Sequence, residues 1–107
     1  MKQGDLVIVG FPYSDGTGSK LRPAVVLSNE KYNRYANVLI AGLYGKRQPF
    51  SVRVTDGDVR EGRLHKTSYV SLQNVFSVDK SLFTYTFAGT LVREKVKEIL
   101  TEFARCV

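Results

Sequence analysis

The 107 residues contain no tryptophan, and only one cysteine, one histidine and one methionine. The lone Cys106 excludes an internal disulfide and leaves no second thiol from which to build a metal cluster. That usage predicts a reducing, cytoplasmic setting. Proline is scarce, at three residues, so each of its positions carries information. Long hydrophobic runs are missing. None approaches the length of a membrane span, and Met1–Asp5 lacks the apolar run of a signal peptide. Acidic side chains are outnumbered, ten against sixteen Lys and Arg, which leaves a net charge of +6. The excess predicts an anionic partner such as nucleic acid, an acidic protein or a membrane surface. Its cations fall in loops and at strand ends, and no helix carries them in a row, which argues against a basic membrane-surface helix.

The length fits a single domain over residues 1–107. Its apolar residues come in short runs separated by turn residues. Leu6–Val9 predicts a first strand, ended by Pro12, and Asp15–Ser19 has the Gly, Ser and Asp content of a connection. Ala24–Leu27 predicts a second strand and Val38–Ala41 a third, with one helical turn or a turn between them. Leu43–Pro49 reads as a loop holding Tyr44, Lys46 and Arg47. Phe50, Val52 and Val54 alternate with Ser51, Arg53 and Thr55, a half-buried strand. The charges through Arg63 then suggest an exposed excursion. Ser68–Leu72, with Val75–Val78 extending or following it, and Leu82–Phe87 complete about six short strands. Val92, Val96, Ile99, Leu100 and Phe103 recur at helical spacing, which predicts one C-terminal helix with a core-facing stripe, opened by Gly89 and capped by Thr90. The tally is a mainly β chain, a compact curled sheet or small barrel with one helix.

The most informative stretch is Ser19-Lys20-Leu21-Arg22-Pro23-Ala24-Val25-Val26-Leu27-Ser28. Its second half is a continuous apolar run, as in a strand buried on both faces. Pro23 stiffens the strand entrance and biases Arg22 toward extended backbone. A guanidinium held at the mouth of a core strand suits an anion or phosphate. It also suits an ordinary surface arginine that merely ends a strand, and the local pattern by itself favours that plainer reading.

Gly4-Asp5-Leu6-Val7, then Phe11-Pro12-Tyr13-Ser14-Asp15, then the Gly18-Ser19-Lys20-Leu21-Arg22-Pro23 run together resemble the opening of the MazF/PemK toxins. Pro49-Phe50-Ser51-Val52, Ser68-Tyr69-Val70 and Val78-Asp79-Lys80-Ser81-Leu82 resemble later blocks of the same family. The likeness covers nearly the whole chain. It implies an SH3-like barrel, a homodimer, and the toxin of a type II toxin–antitoxin pair whose small antitoxin fills the RNA groove with an acidic tail. The activity implied is cleavage of single-stranded RNA without metal or other cofactor. The arginine of the Arg-Pro motif is catalytic in the family and corresponds to Arg22. At the second catalytic position the family has Thr or Ser, and here Tyr44 stands in its place.

The residues suit that chemistry as follows. Cleavage without metal uses the neighbouring 2′-hydroxyl as nucleophile, and a guanidinium can steady charge on the phosphorus oxygens. The Tyr44 hydroxyl can bond phosphate or a 2′-oxygen, and its ring can stack a splayed base or pack on the barrel rim. Ser19, Lys20, Lys46, Arg47 and Arg53 are expected to follow the RNA backbone. His65 is the tempting general base, but the resemblance gives it no role. Asp56, Asp58 and Glu61 surround Gly57 as a turn does, and no metal is expected there. Gly16 and Gly18 do not make a phosphate-binding loop, because the lysine and hydroxyl order is wrong. Two further readings stand beside the nuclease. One is a binder of RNA or DNA that lost turnover when Tyr replaced Thr. The other is a protein-directed inhibitor like the gyrase poisons of the same architecture.

Overall fold

Ala24, Val25, Val26 and Leu27 are all buried, with exposures of 0, 1, 0 and 4%. A strand alternates its side chains between two faces, so burial of the whole run means that this strand is covered on both. The computed structural model describes residues 1–12 and 17–107. In chain order the strands are β1 (Asp5–Pro12), β2 (Ser19–Val26), β3 (Asn37–Tyr44), β4 (Ser51–Val54), β5 (Val59–Gly62), β6 (Ser68–Asp79) and β7 (Tyr85–Leu91). A one-turn helix α1 (Glu30–Asn33) follows β2, and helix α2 (Arg93–Arg105) comes last. The strands form one sheet in the order β4-β6-β3-β2-β1-β7-β5, and every pair is antiparallel.

The connection between the two outermost strands dictates the shape. β4 and β5 lie at opposite ends of the sheet, yet only Thr55 and a single 3₁₀ turn over Asp56–Asp58 separate them in sequence. Five Cα steps reach no more than about 18 Å. The sheet must therefore curl until its edges nearly meet, which gives the small β-barrel with a C-terminal helix expected from the sequence. Asp56 and Asp58 tie that turn. The Thr55 N–H donates to Asp58 Oδ2 at 2.8 Å, and the Leu64 N–H donates to Asp56 Oδ1 at 2.8 Å.

Curling gives the sheet two apolar faces. One holds Leu6, Val25, Leu43, Val52, Val54, Val70 and Leu72, closed over by Val96 and Ile99 of α2. Burying one such aliphatic side chain stabilises the fold by about 1.5–3 kcal/mol. Leu100 and Phe103 extend the contact, as the helical spacing predicts. Gly4 permits the helix to come this close. Its φ is +91°, and a Cβ there would sit 2.7 Å from Val96 Cγ2. The opposite face carries Val7, Val9, Ala24, Val26, Val38, Ile40 and Val78, with Met1 and Phe83 against them. Beside it, α1 is fixed by a buried polar knot. Asn33 accepts from the Ser28 hydroxyl and donates to the Ser28 carbonyl (3.0 Å), and the Leu39 N–H donates to Ser28 Oγ (2.9 Å).

The strand readings need five corrections. There are seven strands among the described residues, not six, because Val59–Gly62 pairs with β7 as an edge strand. Its exposed charged residues hid it, since an edge strand needs only one apolar side. β2 begins at Ser19, so Arg22 and Pro23 lie inside the strand. β3 continues through Gly42 to Tyr44, which is therefore a strand residue. β7 covers Tyr85–Leu91 instead of Leu82–Phe87. Gly89 and Thr90 belong to it, and Thr90 caps nothing. Its hydroxyl donates to the buried carboxylate of Asp5 (3.2 Å), while the helix begins after Val92. The connection read as Asp15–Ser19 falls partly on residues 13–16, outside the described residues.

Candidate active site on β2, β3 and β6

The β2–β3 ladder pairs Val26 with Ile40, Val25 with Ala41 and Ala24 with Gly42, and goes no further. Pro23, next in line, has no N–H with which to extend it. Pro23 still lies opposite Ile8 of β1, so β2 continues there with a neighbour on one side only. On its other edge β3 stays paired with β6, beyond Gly42 through Leu43 with Val70 and Tyr44 with Tyr69. β2 and β3 diverge, and a cavity of about 240 Å³ opens between them, lined by Arg22, Pro23, Gly42, Leu43, Tyr44 and Phe76. The Arg-Pro pair thus supplies both a cation and the break in the ladder that gives it room.

The β6 wall is shaped by an irregularity. Ala41 pairs with Val75 but Leu43 with Val70, so the four residues 71–74 of β6 stand opposite Gly42 alone. Bulges of this kind bend a strand and re-aim side chains. Asn74 Nδ2 donates to the Ser71 hydroxyl across the bulge at 2.9 Å, and Ser71 is wholly buried. Phe76, just past the bulge, reaches the cavity from this side.

Tyr44 is held over Gly42. A side chain at Gly42 would begin 3.0 Å from Tyr44 Cε2 and 3.2 Å from its hydroxyl oxygen. The phenol therefore lies back along its own strand, in the space a Cβ would occupy, and its hydroxyl stays at the cavity.

Register brings several predicted residues into one row. Residues opposite each other on neighbouring strands project to the same face. Arg53 on β4 faces Tyr69 on β6, and Tyr69 faces Tyr44 on β3. Arg22, two residues from Ala24, and Tyr44, two residues from Gly42, project to the face that the Ala24–Gly42 pair shares. The row Arg53, Tyr69, Tyr44, Arg22 therefore crosses four strands on one face, and the guanidinium carbon of Arg47 sits 5.7 Å above the Tyr69 ring. Lys20, two residues before Arg22 on the same face of β2, is exposed.

Not all the expected residues join the cavity. Lys46 is exposed in the turn after β3 but does not line it, and neither do Arg47 and Arg53. Ser19 aligns with Pro12 at the end of the β1–β2 pairing, and its side chain lies outside the described residues, as do Tyr13, Ser14, Asp15 and Gly16. His65 does not line this cavity. With Arg63 and Leu64 it lines an adjoining one of about 510 Å³, which shares Pro23 and Leu43 with the first and whose walls include Leu6, Ile8 and Ala88. Sequence reading did not single out Phe76 or Gly42. An aromatic on a strand and a glycine in a strand are each too common to mark a site.

A family model described as PemK-like, MazF-like toxin of type II toxin-antitoxin system matches residues 2–107. Solved structures of similar fold include a MazE–MazF complex from Deinococcus radiodurans, with a TM-score of 0.79 at 19% identity, covering 99% of this chain and 94% of that one. An endoribonuclease in complex with its cognate antitoxin, from a mycobacterial species, gives a TM-score of 0.70 at 22% identity over 98% and 90% of the two chains. The toxin MazF-mt6 of Mycobacterium tuberculosis gives 0.65 at 20% over 92% and 93%. No curated protein matches the sequence.

Proposed function

This chain belongs to the PemK-like, MazF-like family of type II toxin–antitoxin toxins, and from that premise we propose that it cleaves single-stranded RNA without a metal, through attack of a 2′-hydroxyl on the adjacent phosphate. The observation that carries the reading is the meeting of Arg22 and Tyr44 in one open cavity where β2 and β3 diverge.

In the proposed reaction the 2′-oxygen forms a bond to phosphorus and loses its proton. The bond from phosphorus to the 5′-oxygen breaks, and that oxygen takes up a proton. The products are a 2′,3′-cyclic phosphate and a 5′-hydroxyl. Negative charge builds on the phosphoryl oxygens between these events, and the Arg22 guanidinium offers them a planar fork of donors. Donors fixed in place for such charge are worth about 3–4 kcal/mol in the transition state. Arginine holds its proton too tightly to shuttle it, so Arg22 acts on charge. The Tyr44 hydroxyl is set to bond the phosphate or the 2′-oxygen, and its ring to receive a base. Lys20, Arg47 and Arg53 extend the positive face on either side, with Lys46 and Ser19 at its margins. The proposal includes a homodimer, a cytoplasmic setting, and an antitoxin whose acidic tail competes for the same cations. Complexes of similar toxins with MazE or a cognate antitoxin support an antitoxin as partner.

A second reading is favoured by one residue. Tyr44 stands where the resemblance calls for Thr or Ser, and a family member altered there would bind nucleic acid without turning it over.

One assay separates these readings and the gyrase-directed one. Purified protein is incubated, in chelator, with a single-stranded RNA and with the same strand carrying deoxyribose at the cut position. The nuclease cuts only the first and loses about 100-fold or more in rate with Arg22→Ala. Binding of both strands without cutting supports the non-catalytic reading. No RNA affinity together with inhibition of gyrase supports the third.

A further inference from the structure

We infer that Phe76 is a base-stacking residue of this site, holding the nucleobase next to the phosphate gripped by Arg22. The inference rests on the RNA-cleaving reading above and adds to it a second aromatic contact for a base, beside that offered by the Tyr44 ring.

The argument starts from the layout of the cavity across β3. Arg22 reaches it from β2 on one flank, and Phe76 reaches it from β6 on the other. Gly42 and Tyr44 lie between them on β3. Neighbouring strands are about 4.8 Å apart, so the two flanks are separated by about 10 Å. A nucleotide has the same polarity over a similar span, with an anion at one end and an aromatic plane at the other. The cavity presents a cation where the phosphate would sit and a ring where the base would sit.

The setting of Phe76 supports this. Its partner across the ladder, Ile40, is fully buried, and Val78, two residues along the same face, is 4% exposed. Phe76 itself is 42% exposed. The burial of the outer face therefore gives way at this ring, which is partly exposed at the cavity's edge. The bulge at residues 71–74 immediately precedes the part of β6 from which Phe76 reaches the cavity. Phenylalanine offers no hydrogen bond, so it recognises the π-face shared by all bases. The selectivity it brings is for a stacked base over none.

The chain has no tryptophan, so Phe76→Trp places a single indole reporter in the cavity. The probe is an RNA oligonucleotide containing the cut site mapped on the wild-type protein, with deoxyribose at the cut position so that it binds intact. Its counterparts carry one abasic nucleotide on either side of that position. We expect the oligonucleotide to quench the emission of the introduced indole, and one abasic position to abolish the quenching. Phe76→Ala should bind the intact strand about 5- to 100-fold more weakly. The same substitution should make no further difference on the critical abasic strand, because the two losses remove one contact. RNA binding with unchanged indole emission, or with penalties that add, overturns the inference and leaves the nuclease reading standing. So does a Phe76→Ala variant whose sedimentation changes while its base dependence does not, since Phe76 would then be a contact between copies of the chain. A wild-type protein that neither binds nor cuts RNA overturns the parent reading, and this one with it.

Discussion

At Gly42 the missing side chain is what seats Tyr44. The 3.0 Å approach to Cε2 is tighter than a Cβ ordinarily makes, so any larger residue moves the ring. Nothing strained holds the backbone at this position, and replacing a strand glycine with alanine usually leaves stability equal or raises it by about 0.5–1 kcal/mol. Gly42→Ala should therefore keep or raise the urea midpoint while lowering kcat/KM on RNA by about 10- to 100-fold, because small misplacements of a reacting group are costly. Equal activity in the variant would show that the seat of the ring does not matter. Pro23 works at the same scale. Its lack of an N–H leaves the ladder unextended beyond Ala24, and the gap that results is where Arg22 and Tyr44 meet. The sequence made legible that an arginine and a proline stand at the head of a core strand. The use of Pro23 to separate β2 from β3 was not legible, because it depends on which strand lies on the far side.

Among the elements, the end of β6 carries a charge-dependent turn. Asp79 accepts from the Ser81 hydroxyl at 2.7 Å and from the Ser81 N–H at 2.9 Å, and the chain then turns toward β7. Chiefly the hydroxyl bond, then the amide bond, with a smaller share from Lys80, hold its carboxyl below the ordinary aspartate value against a slight opposing effect of burial. A carboxylate whose value is lowered by folding stabilises the folded state at pH above the unfolded value. That contribution fades as pH falls through the lower folded value. Asp79→Asn keeps an acceptor and removes the charge. It should lower the urea midpoint at neutral pH, and the gap to wild type should close as the solution is acidified below the ordinary aspartate range. A gap that persists unchanged there would mean that the turn is held by geometry without help from charge. Element boundaries were the least legible feature of this chain. Val59–Gly62 looked like an exposed excursion because an edge strand shows no apolar alternation, and Thr90 looked like a helix cap because its true partner, Asp5, is 85 residues away.

For the whole molecule, the curl of the sheet decides where the positive charge acts. Lys20, Arg22, Arg47 and Arg53 are scattered over 34 positions of sequence, yet β2, β4 and the turn after β3 present them to one side. If these four cations engage phosphates, the logarithm of RNA affinity should fall against the logarithm of salt concentration with a slope of about −3, since single strands release about 0.7 counterion per contact. Arg53→Gln should reduce that slope by about 0.7 without changing the site of cutting. A slope near zero in the wild-type protein would show that the row does not bind a polyanion.

The sequence by itself determined the materials. Its short apolar runs required a small curled sheet, its C-terminal periodicity required one helix against the core, and its charge balance favoured an anionic partner. These follow from local pattern, because burial alternates with a fixed period along each element. Only the tertiary structure decided that Tyr44 lies on Gly42, that Arg53 shares a face with Arg22, and that Phe76 completes the cavity. Those relations depend on strand order, register and one bulge, which are set by contacts between residues far apart in the chain and leave no mark on any single stretch of it.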